Sequence, residues 1–468
     1  MPAQVLSTLA SFSVYLFLGS VLVLVSAVIL LIPLRNKPAR HSTTPPRSVS
    51  PDLSEKPKLP LESHGRPSVV ALLTNAIPSS RRASTSSASP MTAQSPVTNR
   101  SKQEIAIYGD FPDYATLSGV PLPKPYTEFD IVKALPRPYR PFRWAYHQTM
   151  SFKKMEPDWW LELENTYVTR IAQRKELYAK HGAGMLQSLP GSEAATKEVM
   201  EMALQFLVAR YPQYFSLQPP ESPDVFVNRI LGKEFSIRSS PPLEILLENV
   251  PEDFAITIKN QETGEYEFRA GVICSSLGWN VASKIGLSLK QIHEPIPDYK
   301  EKMSMSMDRY FSKMPTNMPI QRGSWGLEYL QPLYMPPNDP HAEHRNSQNP
   351  DLKLEDVFIR VDWQTLRRLP LSGAIVFNFK ALFTLLTEVA DEPGVPAVIL
   401  EVLEKGKRNL MEYKNTWHVE HVAKPALKKW KEEQVQTGLV SKEWEVETLE
   451  QYPLFEGWME KWHRQQGF

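Results

Sequence analysis

The chain has 468 residues, 42% of them apolar, and a net charge of +1 with histidines neutral. That balance excludes a dedicated nucleic-acid binder, which carries a strong basic excess, and the length allows two or three domains. The single cysteine, Cys274, excludes an internal disulfide and any cysteine-rich zinc or iron–sulfur site, and fits a reducing compartment.

Residues 1–13 carry no charged side chain, and residues 14–34 are almost purely apolar. Twenty-odd apolar residues suffice for one transmembrane helix. Arg35, Lys37 and Arg40 follow directly, so the positive-inside rule places the C-terminal bulk in the cytoplasm. A cleaved signal peptide would want a basic lead and a shorter apolar core. The sequence therefore predicts a single-pass membrane protein with a cytoplasmic folded domain. Residues 35–103 are rich in Pro, Ser, Thr, Arg and Lys and poor in aromatics. Such a segment buries too little apolar surface to offset its ordering entropy, and reads as a disordered linker. Its positive excess suits an anionic membrane face as well as open solvent. Arg81-Arg82-Ala83-Ser84 is a weak basophilic kinase pattern, and the sequon at Asn99 matters only on a lumenal side.

The folded domain is expected over 104–468. Its start, to Phe142, is rich in proline and aromatics and reads as an irregular arm. A helix is predicted over 157–180, with Trp160, Leu163, Tyr167 and Ile171 on one face, and a second over 193–210, ended by Tyr211-Pro212. Phe254, Ile256 and Ile258 alternate, Asn260 to Gly264 supplies a turn, and Tyr266 to Cys274 resumes the pattern, which predicts a hairpin. A helix-like segment covers 281–291. Val357, Ile359 and Val361 alternate again, and 374–379 is a short strand-like run. Helices are predicted over 380–389, 395–413 and 424–435. Helices, a few antiparallel strands, then more helices make an α+β domain. No internal repeat, G-x-G-x-x-G, P-loop or G-x-S-x-G motif is present, so nucleotide loops and α/β-hydrolase chemistry have no support.

Two histidine pairs, His341/His344 and His418/His421, have the H-x-x-H spacing that metal ligands use on a helix. The first lies in a Pro/Asn-rich loop and the second lacks an H-E-x-x-H frame, so both read as surface or structural histidines. His293 is different. It sits where the helix-like segment meets Pro295 and Pro297. A histidine held at such a junction suits an axial haem ligand, although spacing alone favours a core histidine.

Several stretches together carry a family resemblance. They are Pro141-Phe142-Arg143-Trp144 with Tyr146 to Met150, Trp159 to Leu163, Leu277-Gly278-Trp279, and Lys284-Ile285-Gly286 leading to Ile292-His293-Glu294-Pro295-Ile296-Pro297. They continue with Arg322-Gly323-Ser324-Trp325-Gly326 and the run Gln364 to Ile375. In this order and spacing the chain resembles the haem-dependent oxidative N-demethylase family, formerly a domain of unknown function and called the HRQ family in fungi. The resemblance spans about residues 105–460. It implies a PAS-like antiparallel sheet core with surrounding helices, binding haem b and activating O₂ as a monooxygenase. Characterised relatives demethylate a small secondary amine; fungal members point to oxidation of a secondary metabolite. The resemblance also implies electrons from a separate reductase, hence a redox partner protein. It makes His293 the iron ligand, Arg322, Arg367 and Arg368 partners of the haem propionates, and Trp279 and Trp325 pocket walls. The chain departs from the family pattern at Ser324, where asparagine is common, and at Trp363, where arginine is. The competing reading is a PAS-like haem- or ligand-binding sensor or scaffold without turnover, since fold does not dictate function.

Overall fold

The structure is a computed structural model that describes residues 100–147 and 149–467. The expected membrane helix at 14–34, its lead at 1–13, the kinase pattern and nearly all of the 35–103 linker lie outside those residues. Among the described residues no helix is long and apolar enough to cross a membrane. Helical structure is already present at Lys102–Ala106, where Ser101 and Glu104 cap each other's backbone N–H groups in a reciprocal box.

The strands are β1 (Lys153–Lys154), β2 (Leu186–Ser188), β3 (Phe215–Gln218), β4 (Val225–Asn228), β5 (Lys233–Ser236), β6 (Asp253–Lys259), β7 (Tyr266–Val272), β8 (Ile320–Tyr329), β9 (Val357–Arg368) and β10 (Ile375–Leu385). The main helices are α1 (Tyr167–His181), α2 (Glu193–Arg210), α3 (Pro242–Asn249), α4 (Val281–Lys284), α5 (Leu289–His293), α6 (Tyr299–Lys302), α7 (Ser304–Lys313), α8 (Val395–Lys405), α9 (Arg408–Lys414), α10 (Trp417–Gln436) and α11 (Trp458–Gln466). One sheet runs β1-β8-β9-β10-β6-β7-β2 and a small one β3-β4-β5. Every pairing is antiparallel.

Because side chains alternate along a strand, the register sorts the large sheet into two faces. Gly323, Trp363 and Lys380 lie in one row, and Trp325, Val361 and Leu382 in the next. This face is dry. Trp325, Val361 and Leu382 pack on Val395, Ile399, Val402 and Leu403 of α8 and on Val419 and Leu427 of α10. Further along, Phe254, Ile256 and Val376 pack on α1, α2 and α3. Each fully buried Leu, Ile or Val there contributes about 1.5–3 kcal/mol.

The opposite face carries the rows Arg322–Gln364–Phe379 and Ser324–Asp362–Ala381. One end of it is closed by Leu289, Tyr299, Met303, Met307 and Phe311 packing on Leu366 and Ile375. These come from α5, α6 and α7, in the connection between β7 and β8. In the middle, Arg322, Ser324, Asp362, Gln364 and Phe377 stay half-buried.

The hairpin and the 193–210 helix form where the sequence predicts them. Other elements differ. The helix expected from 157 begins only at Tyr167. Glu164 accepts from the N–H and hydroxyl of Thr166, and Trp160 to Glu164 are buried without interruption, so no single helical face exists there. Residues 380–385 continue β10, because Lys380, Ala381 and Leu382 pair with Trp363, Asp362 and Val361. The long partner strand overrides local helix preference. The 281–291 helix splits into α4 and α5 around Gly286, whose φ is +83°. The 395–413 helix splits at Gly406, where a Cβ would meet the Val402 carbonyl oxygen at 2.5 Å. The helix expected over 424–435 is α10, which starts at Trp417 and runs straight through Pro425.

Candidate functional site

His293 ends α5, a short helix opened by a reciprocal cap between Ser288 and Gln291. Its Nδ1 lies 2.7 Å from the Leu289 carbonyl oxygen. A carbonyl only accepts, so Nδ1 carries the proton and Nε2 presents a lone pair. Nε2 makes no hydrogen bond to any described residue. The ring stacks on Tyr299, with centroids 5.1 Å apart and planes at 14°. Burial pushes its pKa down to about 4, reinforced by the nearby charges of Lys284 and Arg322. The imidazole is therefore neutral, fixed in tautomer and held in orientation, as a metal ligand needs.

Arg322 projects from β8 on the half-buried face. Its Nε is buried without a partner, and no carboxylate among the described residues forms an ion pair with it. Burial depresses its pKa, and Arg143 adds repulsion. Arg143 itself makes no hydrogen bond or ion pair to a described residue. Burial pulls Lys284 down to about 8; its Nζ lies 4.3 Å from the ring centroid of Trp279. Burial likewise lowers Lys414, at the end of α9, to about 8, against the opposing pull of Asp362. Its Nζ donates to Ser324 Oγ at 3.1 Å and the Trp325 carbonyl at 2.6 Å. Asp362 is engaged by Arg360 at 2.9 and 3.0 Å. Five residues beyond His293, Asp298 accepts from Lys407 at 2.5 Å and Asn409 at 3.2 Å. That clasp ties the start of α9 to the turn after α5, while Met411 of α9 packs on the dry-face cluster.

Unpaired buried cations are costly, so this cluster is arranged for an anionic occupant. Beside it lie Phe377 and Phe379, centroids 5.3 Å apart, with Trp279 and Ile292 packed nearby. A neutral imidazole with a free Nε2, an apolar aromatic wall and unpaired guanidinium groups match haem's iron, macrocycle and propionates in turn. On that donor set the residues fit the group.

The other site expectations divide. Trp279 stands beside His293's helix. Trp325 faces the dry side instead, against Phe142 and Tyr146 at 4.8 and 5.4 Å, and its ring also lies 4.8 Å from Lys414 Nζ at the sheet's edge. Arg367 also lies on the dry face, 4.2 Å from the Trp160 ring centroid, with burial lowering it to about 10. Arg368 is on the His293 side, but its donors go to the carbonyls of Met314 (2.6 Å), Gly373 (2.7 Å) and Phe311 and to the Tyr266 hydroxyl (3.1 Å). Four of its five N–H donors are thus used by the protein, and at 2% exposure the guanidinium is not open to a propionate. Of the two departures from the family pattern, Ser324 lies on the His293 face. Trp363 lies on the other, stacked on Tyr139 at 3.8 Å.

Sequence reasoning missed Arg143, Lys284 and Lys414 as site residues. The first two sit inside the stretches that carry the family resemblance, which was the available signal; Lys414 had none. The H-x-x-H pairs do approach one another. His341 and His344 rings are 5.1 Å apart, and His341 perturbs His418. Yet His418 Nδ1 is bound to the Asn415 carbonyl and His421 Nε2 to that of Asn349. Among the described residues no group of three His, Cys, Asp or Glu is placed to hold a metal ion.

A second set of perturbed groups lies on the dry face. Burial raises Glu252 to about 7, and Lys380 donates to the Glu162 carbonyl at 2.6 Å and pairs with Glu164 at 3.2 Å. The cavity among them is about 10 Å³, room for one water and no substrate. The His293 face is therefore the candidate site. The family described as haem-dependent oxidative N-demethylase, alpha subunit-like, matches residues 151–424, more than half the chain and all of the strands and helices that build that face, and the chain belongs to it.

Proposed function

We propose that the chain is a membrane-tethered, haem-dependent monooxygenase acting on a small methylated amine. The observation that carries this reading is the His293 ring: neutral, oriented by Leu289, free at Nε2, and flanked by the unpaired Arg322. The strand order supports the PAS-like reading. Numbered from β6, the five central strands run 2-1-5-4-3, and the connecting helices between the second and third lie on one face. When bound, haem supplies iron chemistry toward O₂. His293 Nε2 would hold the iron, with Nδ1–H kept on Leu289. Arg322, helped by Arg143 and Lys284, would pair with the propionates. Phe377, Phe379 and Trp279 would exclude water from the macrocycle. Arg367, Arg368 and Trp325 have no part in this set.

The single cysteine and the lack of a dinucleotide loop leave the chain without an iron–sulfur or nicotinamide module, so electrons would come from a separate reductase. The apolar run at 14–34 with its basic flank supports a tether with the folded domain in the cytoplasm. The test is turnover: chain loaded with haem, chemical reductant, O₂ and an N-methyl amine, with formaldehyde measured. Formaldehyde in proportion to the amine consumed is the expected result. Stable haem with no amine-dependent consumption of O₂ would overturn it in favour of a haem sensor.

A further inference from the structure

We infer that the substrate carries a carboxylate, held by Lys414 and Ser324 on the His293 face. This deepens the haem reading and rests on it. Lys414 is the last residue of α9; the Asp298 clasp ties the start of that helix to the turn after α5, and Lys414 itself is bound to β8 at Ser324 and Trp325. Ser324 is two residues along β8 from Arg322, hence on the same face and about 7 Å away. The Lys414 ammonium donates to Ser324 Oγ and the Trp325 carbonyl and lies 4.8 Å from the Trp325 ring centroid, so these contacts are all neutral and its charge is left without an anion. It pairs with no carboxylate among the described residues. Asp362, directly opposite Ser324, is turned to Arg360. Glu328, which also favours the charged lysine, is bound by Arg345.

The charge count points the same way. Arg143, Arg322, Lys284 and Lys414 bring four cations to the face, and the nearby carboxylates Asp362 and Glu328 are already engaged by Arg360 and Arg345. Two propionates leave a positive surplus, and Lys414 is the cation removed from His293 along the strand. A methylated amine with a carboxylate on a short stem, such as an N-methyl amino acid, would place its anion there and its methyl group toward the iron. A simple alkylamine has no group for Lys414 to bind.

The experiment uses the full chain, with sarcosine and dimethylamine as probes, followed by the Soret perturbation of the haem-loaded protein and by calorimetry. Sarcosine is expected to bind more tightly than dimethylamine. Lys414→Met should weaken sarcosine by roughly tenfold or more, as expected for loss of a charged hydrogen bond, leave dimethylamine unchanged and leave haem loading intact. Lys414→Arg should restore part of the affinity. Equal binding of the two amines, or equal weakening of both by Lys414→Met, would overturn the inference. Loss of haem from Lys414→Met would also overturn it, by assigning that lysine to a propionate. A wild-type chain that takes up no haem refutes the haem reading by itself; calorimetry with sarcosine on that chain still decides whether Lys414 binds a carboxylate.

Discussion

Arg322 and Arg368 look alike in sequence, yet the structure gives them opposite energetics. Arg368 is 2% exposed and satisfies three main-chain carbonyls and a tyrosine hydroxyl. Replacing it with methionine keeps much of the stem but strands those acceptors. An unsatisfied buried polar group costs about 1–3 kcal/mol, and removing one side of a buried charged network costs about 3–5 kcal/mol. Arg368→Met should therefore lower stability by about 3–5 kcal/mol. Arg322 is desolvated with no carboxylate among the described residues to receive its charge, so Arg322→Met should leave the haem-free chain as stable or make it more stable. The same variant should weaken haem binding. Urea unfolding of the full chain with each variant, with and without haem, measures both effects. If Arg322→Met destabilises the haem-free chain as much as Arg368→Met does, the division between structural and ligand-binding arginine is wrong.

Three further outcomes follow from buried groups. Burial lowers His418 to about 4, so the unfolded chain binds its proton first. The stability it contributes is complete above about pH 6.5 and drains away as pH falls toward 4, by at most about 3 kcal/mol. His418→Asn should flatten that part of the pH–stability curve by the same amount; an unchanged slope would show that the ring is not buried neutral. Gly323→Ala places a Cβ 2.5 Å from Pro141 Cβ and 3.4 Å from the Trp363 ring; overpacking there should cost about 1–3 kcal/mol, read as a lower urea midpoint. Cys274 is fully buried with its thiol pushed up to about 12, so alkylation at pH 8 should wait for unfolding. Rapid labelling of the native chain would contradict its placement.

The parts of the fold legible in sequence are those with one strong local signal. The 193–210 helix is long and bounded by Tyr211-Pro212, and the β6–β7 hairpin has its own turn. β8 escaped as a strand because two glycines and alternating polar residues hide its period, and one of them serves packing: Gly323 leaves room for Pro141. The end of β10 read as helix because its strand state is imposed by β9, far away in local terms. The site was half legible. His293 stood at a helix–proline junction and inside a motif. Arg322, Arg367 and Arg368 could not be told apart, because a one-residue step along a strand moves a side chain to the other face, and only the register reveals which. Lys414 joins the candidate site only through tertiary contacts, its bonds to Ser324 and Trp325 and the Asp298 clasp on its helix, none of which local sequence reveals.

The central claim is that His293 Nε2 is the haem iron ligand. Haem titration of the full chain against His293→Ala, with circular dichroism on both, tests it most directly. The account predicts one haem per wild-type chain with a Soret band that shifts on reduction, little or no uptake by a still-folded His293→Ala, and partial rescue by added imidazole. An unchanged spectrum and stoichiometry in His293→Ala would contradict it.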